Sequence, residues 1–215
     1  MSPVRPVKPY TPAHKSPAAI VCWRDTPARH TQERHDPKHP PGRRRPVTAR
    51  DGHQGPDKKP VTPLFNKLNL GTHRCITVLN APASFEAELA ALQGVDVLPG
   101  VEVLRSAQAP LAYALAFALT QVELDTVCHA LVQAAAGDAV LWLAYPKGSS
   151  KRYRCEFKRD SCWTVLGAAG YEPVRMVAID EDWSALRLRQ AAHIARLKRD
   201  PERTISSAGR RKAGG

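Results

Sequence analysis

The sequence predicts an α/β fold: a mostly parallel sheet between two helical layers, with an antiparallel last strand and basic tails at both ends. Three observations predict it. Short apolar runs, several of them β-branched, alternate with helical patterns between residues 63 and 189, which is the signature of parallel strands joined by helical crossovers. The last two runs, Val174–Ile179 and Trp183–Leu188, lie too close together for a helix between them, so the final strand runs antiparallel, at an edge or beside its predecessor. Residues 1–62 carry 12 prolines and five of the eight histidines with no apolar periodicity, and such a segment cannot bury enough surface to offset its ordering entropy.

The elements follow in order. Arg74–Leu79 is a buried strand. Asn80-Ala81-Pro82-Ala83-Ser84 breaks it, and Ser84 is placed to cap a helix from Phe85 to about Leu92, with Gly94 just beyond. The Pro99-Gly100 turn predicts a second strand over Val101–Leu104. Leu111–Leu119 is rich in alanine, which favours a helix. Its large residues Leu111, Tyr113, Leu115, Phe117 and Leu119 alternate strictly, which a helix cannot place on one face, so a strand is expected, its alanine face beneath a closely packed helix. Thr120 and Glu123 form a capping box before the apolar series Leu124, Val127, Cys128, Leu131, Val132 and Ala135. Gly137-Asp138 ends that helix and Ala139–Ala144 is a strand. Asp160 is placed to cap a helix from Ser161 to Ala169, closed by Gly170. Beyond Arg189 a basic helix is expected, and after Pro201 a disordered tail. The organisation is therefore a tail over 1–62, one domain over 63–189 and a partly helical basic tail over 190–215.

The formal charge of +12 belongs to the ends. Residues 1–62 hold 13 Lys/Arg against 5 Asp/Glu, residues 63–184 hold 10 against 13, and residues 185–215 hold 9 against 2. The mildly acidic middle speaks against a folded domain built to grip nucleic acid. Five cysteines without a CxxC pair fit reduced thiols in a cytoplasmic protein. No run of 18 apolar residues and no secretory h-region is present, so neither a membrane span nor an export signal is expected. Pro/Arg/His-rich sequence of the kind in residues 1–60 also arises when a GC-rich upstream region is translated, and a natural start near Val61 is expected on that ground.

Four segments resemble, in order, a bacterial family known as domain of unknown function 3052: Pro63-Leu64 with Lys67-Leu68, Val78-Leu79-Asn80-Ala81-Pro82, Leu141 to Lys147, and Ala178 to Leu186. The resemblance spans residues 62–189 and implies a fold but no reaction. More remotely, the element order is similar to the class I methyltransferase fold, a Rossmann-like three-layer sandwich. In that fold the loop after the first strand is glycine-rich, so that the backbone can approach S-adenosylmethionine. Here the loop has no glycine, and Pro82 removes a donor. Leu104-Arg105 offers no acidic residue for a ribose. An intact cofactor site is not expected, and neither a cofactor nor a metal is assigned.

Ligands of open α/β sheets bind outside the carboxyl ends of the strands, which selects the candidate residues. Asn80 follows the first strand, where it either binds a ligand or bonds its own turn. Tyr145, Lys147, Ser149 and Lys151 lie in a loop of Gly, Ser and Lys that suits an anion but lacks P-loop spacing. Asp180, followed by Glu181, Asp182 and Trp183, makes either a cation site or a solvated turn in which Trp183 covers the core edge. The run Lys151-Arg152-Tyr153-Arg154 mixes aromatic and basic groups as nucleic-acid sites do. His30, His35 and His39 lie in the tail, while Cys128 should face the core and His129 solvent. In the tails, Arg43, Arg44, Arg45, Arg210, Arg211 and Lys212 are candidates for salt-sensitive, sequence-blind nucleic-acid association. Three function classes remain: a ligand- or protein-binding module without a cofactor loop, a methyltransferase-like enzyme with a modified site, and nucleic-acid association through the tails.

Overall fold

Thr62 caps the first helix of the computed structural model, which describes residues 61–102, 110–157, 163–198 and 200–214. Its hydroxyl accepts the Phe65 N–H at 3.2 Å, and Pro63 supplies a preset φ at the first helical position of α1 (Pro63–Lys67). The chain continues through β1 (Cys75–Leu79), a 3₁₀ turn over Ala83–Phe85, α2 (Glu86–Ala90), β2 (Asp96–Pro99) and β3 (Leu111–Phe117). Then come α3 (Gln121–Ala134), β4 (Ala135–Pro146), α4 (Thr164–Ala168), β5 (Tyr171–Ala178), β6 (Trp183–Gln190) and α5 (Ser207–Ala213).

The described strands form one sheet in the order β2-β1-β3-β4-β6-β5. Strands β1 to β4 pair in parallel, and β6 is inserted antiparallel between β4 and β5. This is the Rossmann-like α/β arrangement expected from the sequence, with the last strand beside its predecessor. On one face Leu124, Val127 and Leu131 of α3 and Leu166 of α4 pack on the sheet. On the other, Leu64 and Phe65 of α1, with Leu68 and Phe85, cover it. Strand β3 shows how composition serves both layers. Ala114 and Ala116 lie under α3, while Tyr113, Leu115 and Phe117 face α1, and the narrow alanine side lets α3 approach closely. A register shift between Leu111 and Tyr113 turns Leu111 to the α3 side.

Long-range hydrogen bonds fix α1 to the sheet. The Leu68 carbonyl accepts both the Trp142 indole N–H at 2.7 Å and the Tyr113 hydroxyl at 3.1 Å, so both buried donors are satisfied by one acceptor. The capping box on α3 forms as expected: the Thr120 hydroxyl accepts from Glu123 N–H, and the Glu123 carboxylate accepts from Thr120 N–H. Cys128 is buried and His129 exposed, as their helical positions require.

Several expectations need correction. Ser84 does not cap α2. It lies inside the 3₁₀ turn, whose cap position is Pro82, without a side-chain bond. The second strand precedes Pro99-Gly100 rather than following it. Asp96–Pro99 pairs in parallel with Cys75–Val78, and Val101-Glu102 are helical. Pro99 is tolerated because β2 is an edge strand. Strand β4 begins at Ala135 and β5 at Tyr171, each earlier than expected. The proposed Asp160 cap lies outside the described residues.

The largest correction concerns the C-terminus, which folds beyond Pro201. Glu172, fully buried on β5, accepts hydrogen bonds from Ser206 N–H at 2.8 Å, Ser206 Oγ–H at 2.6 Å and Ile205 N–H at 3.3 Å. The Ser206 hydroxyl in turn caps α5 by accepting the Gly209 N–H at 2.8 Å. A Cβ at Gly209 would collide with the Glu172 carboxylate, and one at Gly167 with the Ile205 carbonyl. Glycine at these two positions therefore lets the segment dock.

Candidate functional site

The topological switch point lies between β1 and β3, since β1 pairs with β2 on one side and β3 on the other. Asn80 is the first residue past β1. It adopts φ +53°, a left-handed conformation that Asn accepts more readily than most residues. Its Nδ2 donates to the Phe117 carbonyl at the end of β3, 3.3 Å away. Asn80 thus bridges the two strands across the crevice instead of bonding only its own turn.

The ends of β4 and β5 and the start of β6 meet beside this bridge. Lys147 Nζ donates to the Asp180 carbonyl at 2.5 Å, and Lys147 N–H donates to the Asp182 carbonyl at 2.8 Å. Asp180 Oδ1 accepts from Asp182 N–H at 2.8 Å and Trp183 N–H at 2.7 Å, a carboxylate that organises its own turn. Ser150 Oγ–H donates to Asp182 Oδ1 at 2.7 Å, and Arg152 approaches Asp182 Oδ2 at 3.8 Å. Ser150 Oγ also accepts the Tyr153 N–H at 3.0 Å, which folds the loop back on itself. The result is a rigid rim whose polar groups largely satisfy one another.

Beneath the rim runs an aromatic row. The rings of Phe85, Phe117, Trp183 and Tyr153 follow at centroid spacings of 5.0, 5.2 and 5.0 Å, and the Arg152 guanidinium lies 5.7 Å from the Tyr153 centroid. Trp183 is only 2% exposed, and among the described residues its indole N–H has no acceptor. It covers the core edge as its position after the acidic run suggested.

The expected site residues are therefore only partly brought together. Asn80, Lys147, Asp180 and Trp183 converge at the carboxyl edge. Ser149 and Lys151 stand exposed on the same loop. Tyr145 does not join them. It faces the α3 side, with its ring against Phe157 and Trp163 and its hydroxyl 3.6 Å from the Met176 sulfur. Arg43, Arg44 and Arg45 lie outside the described residues. Arg210, Arg211 and Lys212 belong to the folded helix α5 rather than to a loose tail, and Lys212 Nζ donates to the Ala191 carbonyl at 2.9 Å. Ser150, Asp182, Arg152 and Tyr153 also join the rim. The runs that contain them stand out in the sequence, but their pairing 32 residues apart does not.

Among the described residues no group of three or more His, Cys, Asp or Glu converges on a metal-sized point. Burial pushes the Cys155 thiol upward, so the nearby cysteine is not poised as a thiolate. Asp180 and Asp182 are engaged in holding the loop.

No protein-family model matches the chain, and no curated protein sequence matches it. Solved structures do. The chain is similar to the N-methyltransferase NodS from Bradyrhizobium japonicum WM9, with 12% identity and a TM-score of 0.37 over 59% of this chain and 92% of that one. It is similar to the magnesium protoporphyrin IX methyltransferase from Synechocystis PCC 6803 with bound SAH, with 10% identity and a TM-score of 0.37 over 59% and 78%. It is also similar to LepI in complex with SAM, with 11% identity and a TM-score of 0.36 over 60% of this chain, spanning only 47% of LepI. At these identities the likenesses assign no chemistry to this chain.

Proposed function

We propose that the chain is a Rossmann-like binding module of the cytoplasm that takes a small anionic ligand at the carboxyl edge of its sheet. One observation carries this reading. Ser149, Lys151 and Arg152 are exposed on a loop that Lys147, Ser150, Asp180 and Asp182 hold rigid from below. A pre-set loop of donors and cations loses little entropy when an anion docks. The resemblance to the bacterial family of unknown function is consistent with this reading and adds no reaction to it.

The Rossmann-like sheet with its inserted antiparallel strand keeps a methyltransferase-like enzyme as the second reading. Against it stands the glycine-free loop after β1, in which Pro82 removes a backbone donor and the Asn80 side chain is engaged with the Phe117 carbonyl.

Thermal melting with candidate ligands separates the two, because a ligand that binds only the folded state raises the midpoint by mass action. We expect nucleotides or sugar phosphates to raise it, and Lys151→Ala to reduce the rise without changing the unliganded midpoint. A rise with S-adenosylmethionine would overturn the ranking in favour of the enzyme. No rise with any compound would turn the search to a protein partner.

A further inference from the structure

The sheet face covered by α1 carries a second concentration of charge, four residues along β6 from Trp183. Arg187 sits on β6 directly opposite Arg175 on β5 and opposite Trp142 on β4. Val177 and Ala185, two residues away on the same strands, pack on the α1 side of the sheet, and period-2 alternation places Arg175 and Arg187 on that face too. Like charges directly opposite on neighbouring strands repel. The carboxylate closest in charge effect is Asp138, and Arg189 already holds it through both oxygens. Arg187 is half-buried, its guanidinium lies 6.0 Å from the Trp142 ring centroid, and its Nη1 is buried with no hydrogen-bond partner. Among the described residues neither Arg175 nor Arg187 has a carboxylate partner.

A guanidinium withdrawn from water without a partner is costly, and a protein has no stability reason to keep one. The half-buried Arg187, with Nη1 unpaired, and the exposed Arg175 opposite it together match the charge and the forked oxygen geometry of a phosphate dianion. We infer that Arg175 and Arg187 form a binding site for a phosphate group, on the face opposite α3 and apart from the carboxyl-edge rim. His73 borders it. Its ring lies 5.5 Å from Tyr113, and burial and the Arg187 charge hold its pKa below the ordinary histidine value. The groups acting on Arg187 itself are Asp138, Arg189 and Tyr113.

The test is melting of the full chain carrying Lys151→Ala, which silences the carboxyl-edge loop, in inorganic phosphate at constant ionic strength, with acetate as the carboxylate control. Phosphate should raise the midpoint and acetate should not. Arg175→Met, at an exposed position, should weaken phosphate about tenfold, the loss of one charge-assisted contact. Arg187→Met should abolish the phosphate response and melt at or above the parent in phosphate-free buffer, because it removes an unpaired half-buried charge. If Arg187→Met does not fold, the Arg175→Met comparison decides alone. His73 followed by proton NMR should titrate at higher pH once phosphate binds. A phosphate response that survives in both arginine variants would overturn the inference. A phosphate response kept in Lys151→Ala and lost with Arg187→Met supports this inference, and no response in Lys151→Ala overturns it.

Discussion

Glu172 shows how one side chain can decide the fate of a whole segment. Its carboxylate accepts hydrogen bonds from three donors of residues 205 and 206, in a place with no exposed surface. Glu172→Gln keeps the shape but turns an acceptor into a donor that faces other donors. We expect a loss of about 2 kcal/mol, seen as a fall of roughly 4–8 °C in melting midpoint. His73 gives a second prediction at this scale. Burial, and then Arg187, lower its pKa from 6.5 in the folded state. The unfolded chain therefore binds more protons as acid is added. The His73 contribution to stability is fully present above pH 6.5 and is lost as the pH falls through the unfolded value toward the lower folded one. His73→Gln should flatten the urea-midpoint profile between pH 7 and 5, whereas an unchanged slope would show that other groups set it.

At the scale of elements, α5 is too short to be stable on its own. It holds because Ser206 caps it and Glu172 holds Ser206. Ending the chain at Lys198 removes both partners and leaves Glu172 without them. We expect the truncated protein to melt lower than the full chain and to exchange the β5 amides faster. Equal melting would mean that the C-terminal segment contributes nothing to the fold. Helix α3 is the contrasting case. Its start is written in Thr120 and Glu123, three residues apart, and its apolar face in residues 124 to 131, so it could be read without any tertiary knowledge.

Across the whole molecule, the sheet order and its two apolar faces leave the carboxyl ends of β1, β3 and β4 on one edge, beside the start of β6. That edge collects the rim of Asn80, Lys147, Asp180 and Trp183, and the α1-covered face collects the arginines. Local periodicity made the sheet legible. The alternation in β3 separated strand from helix, and the short link between β5 and β6 forced an antiparallel pair. Strand β2 escapes sequence patterning because a four-residue edge strand buried on neither face carries almost no pattern. The candidate site was legible as a set of loops but not as a set of partners. Asn80 reaches 37 residues to Phe117, and Ser150 reaches 32 to Asp182. Arg187 gave one unread signal: a charge at an inward position of an otherwise apolar strand.

The sequence by itself determined what depends on neighbours within a few residues: the α/β class, the capping box, the strand–helix alternation of β3 and α3, and the placing of polar groups at strand ends. Tertiary structure decided which of those polar groups are free. Lys147, Ser150 and Asp182 are tied to one another and Tyr145 is turned to the other layer, while Lys151 stays exposed and, among the described residues, Arg187 Nη1 has no hydrogen-bond partner. The physical reason is that hydrogen-bond satisfaction is a property of groups brought together by folding, and no spacing along the chain records it.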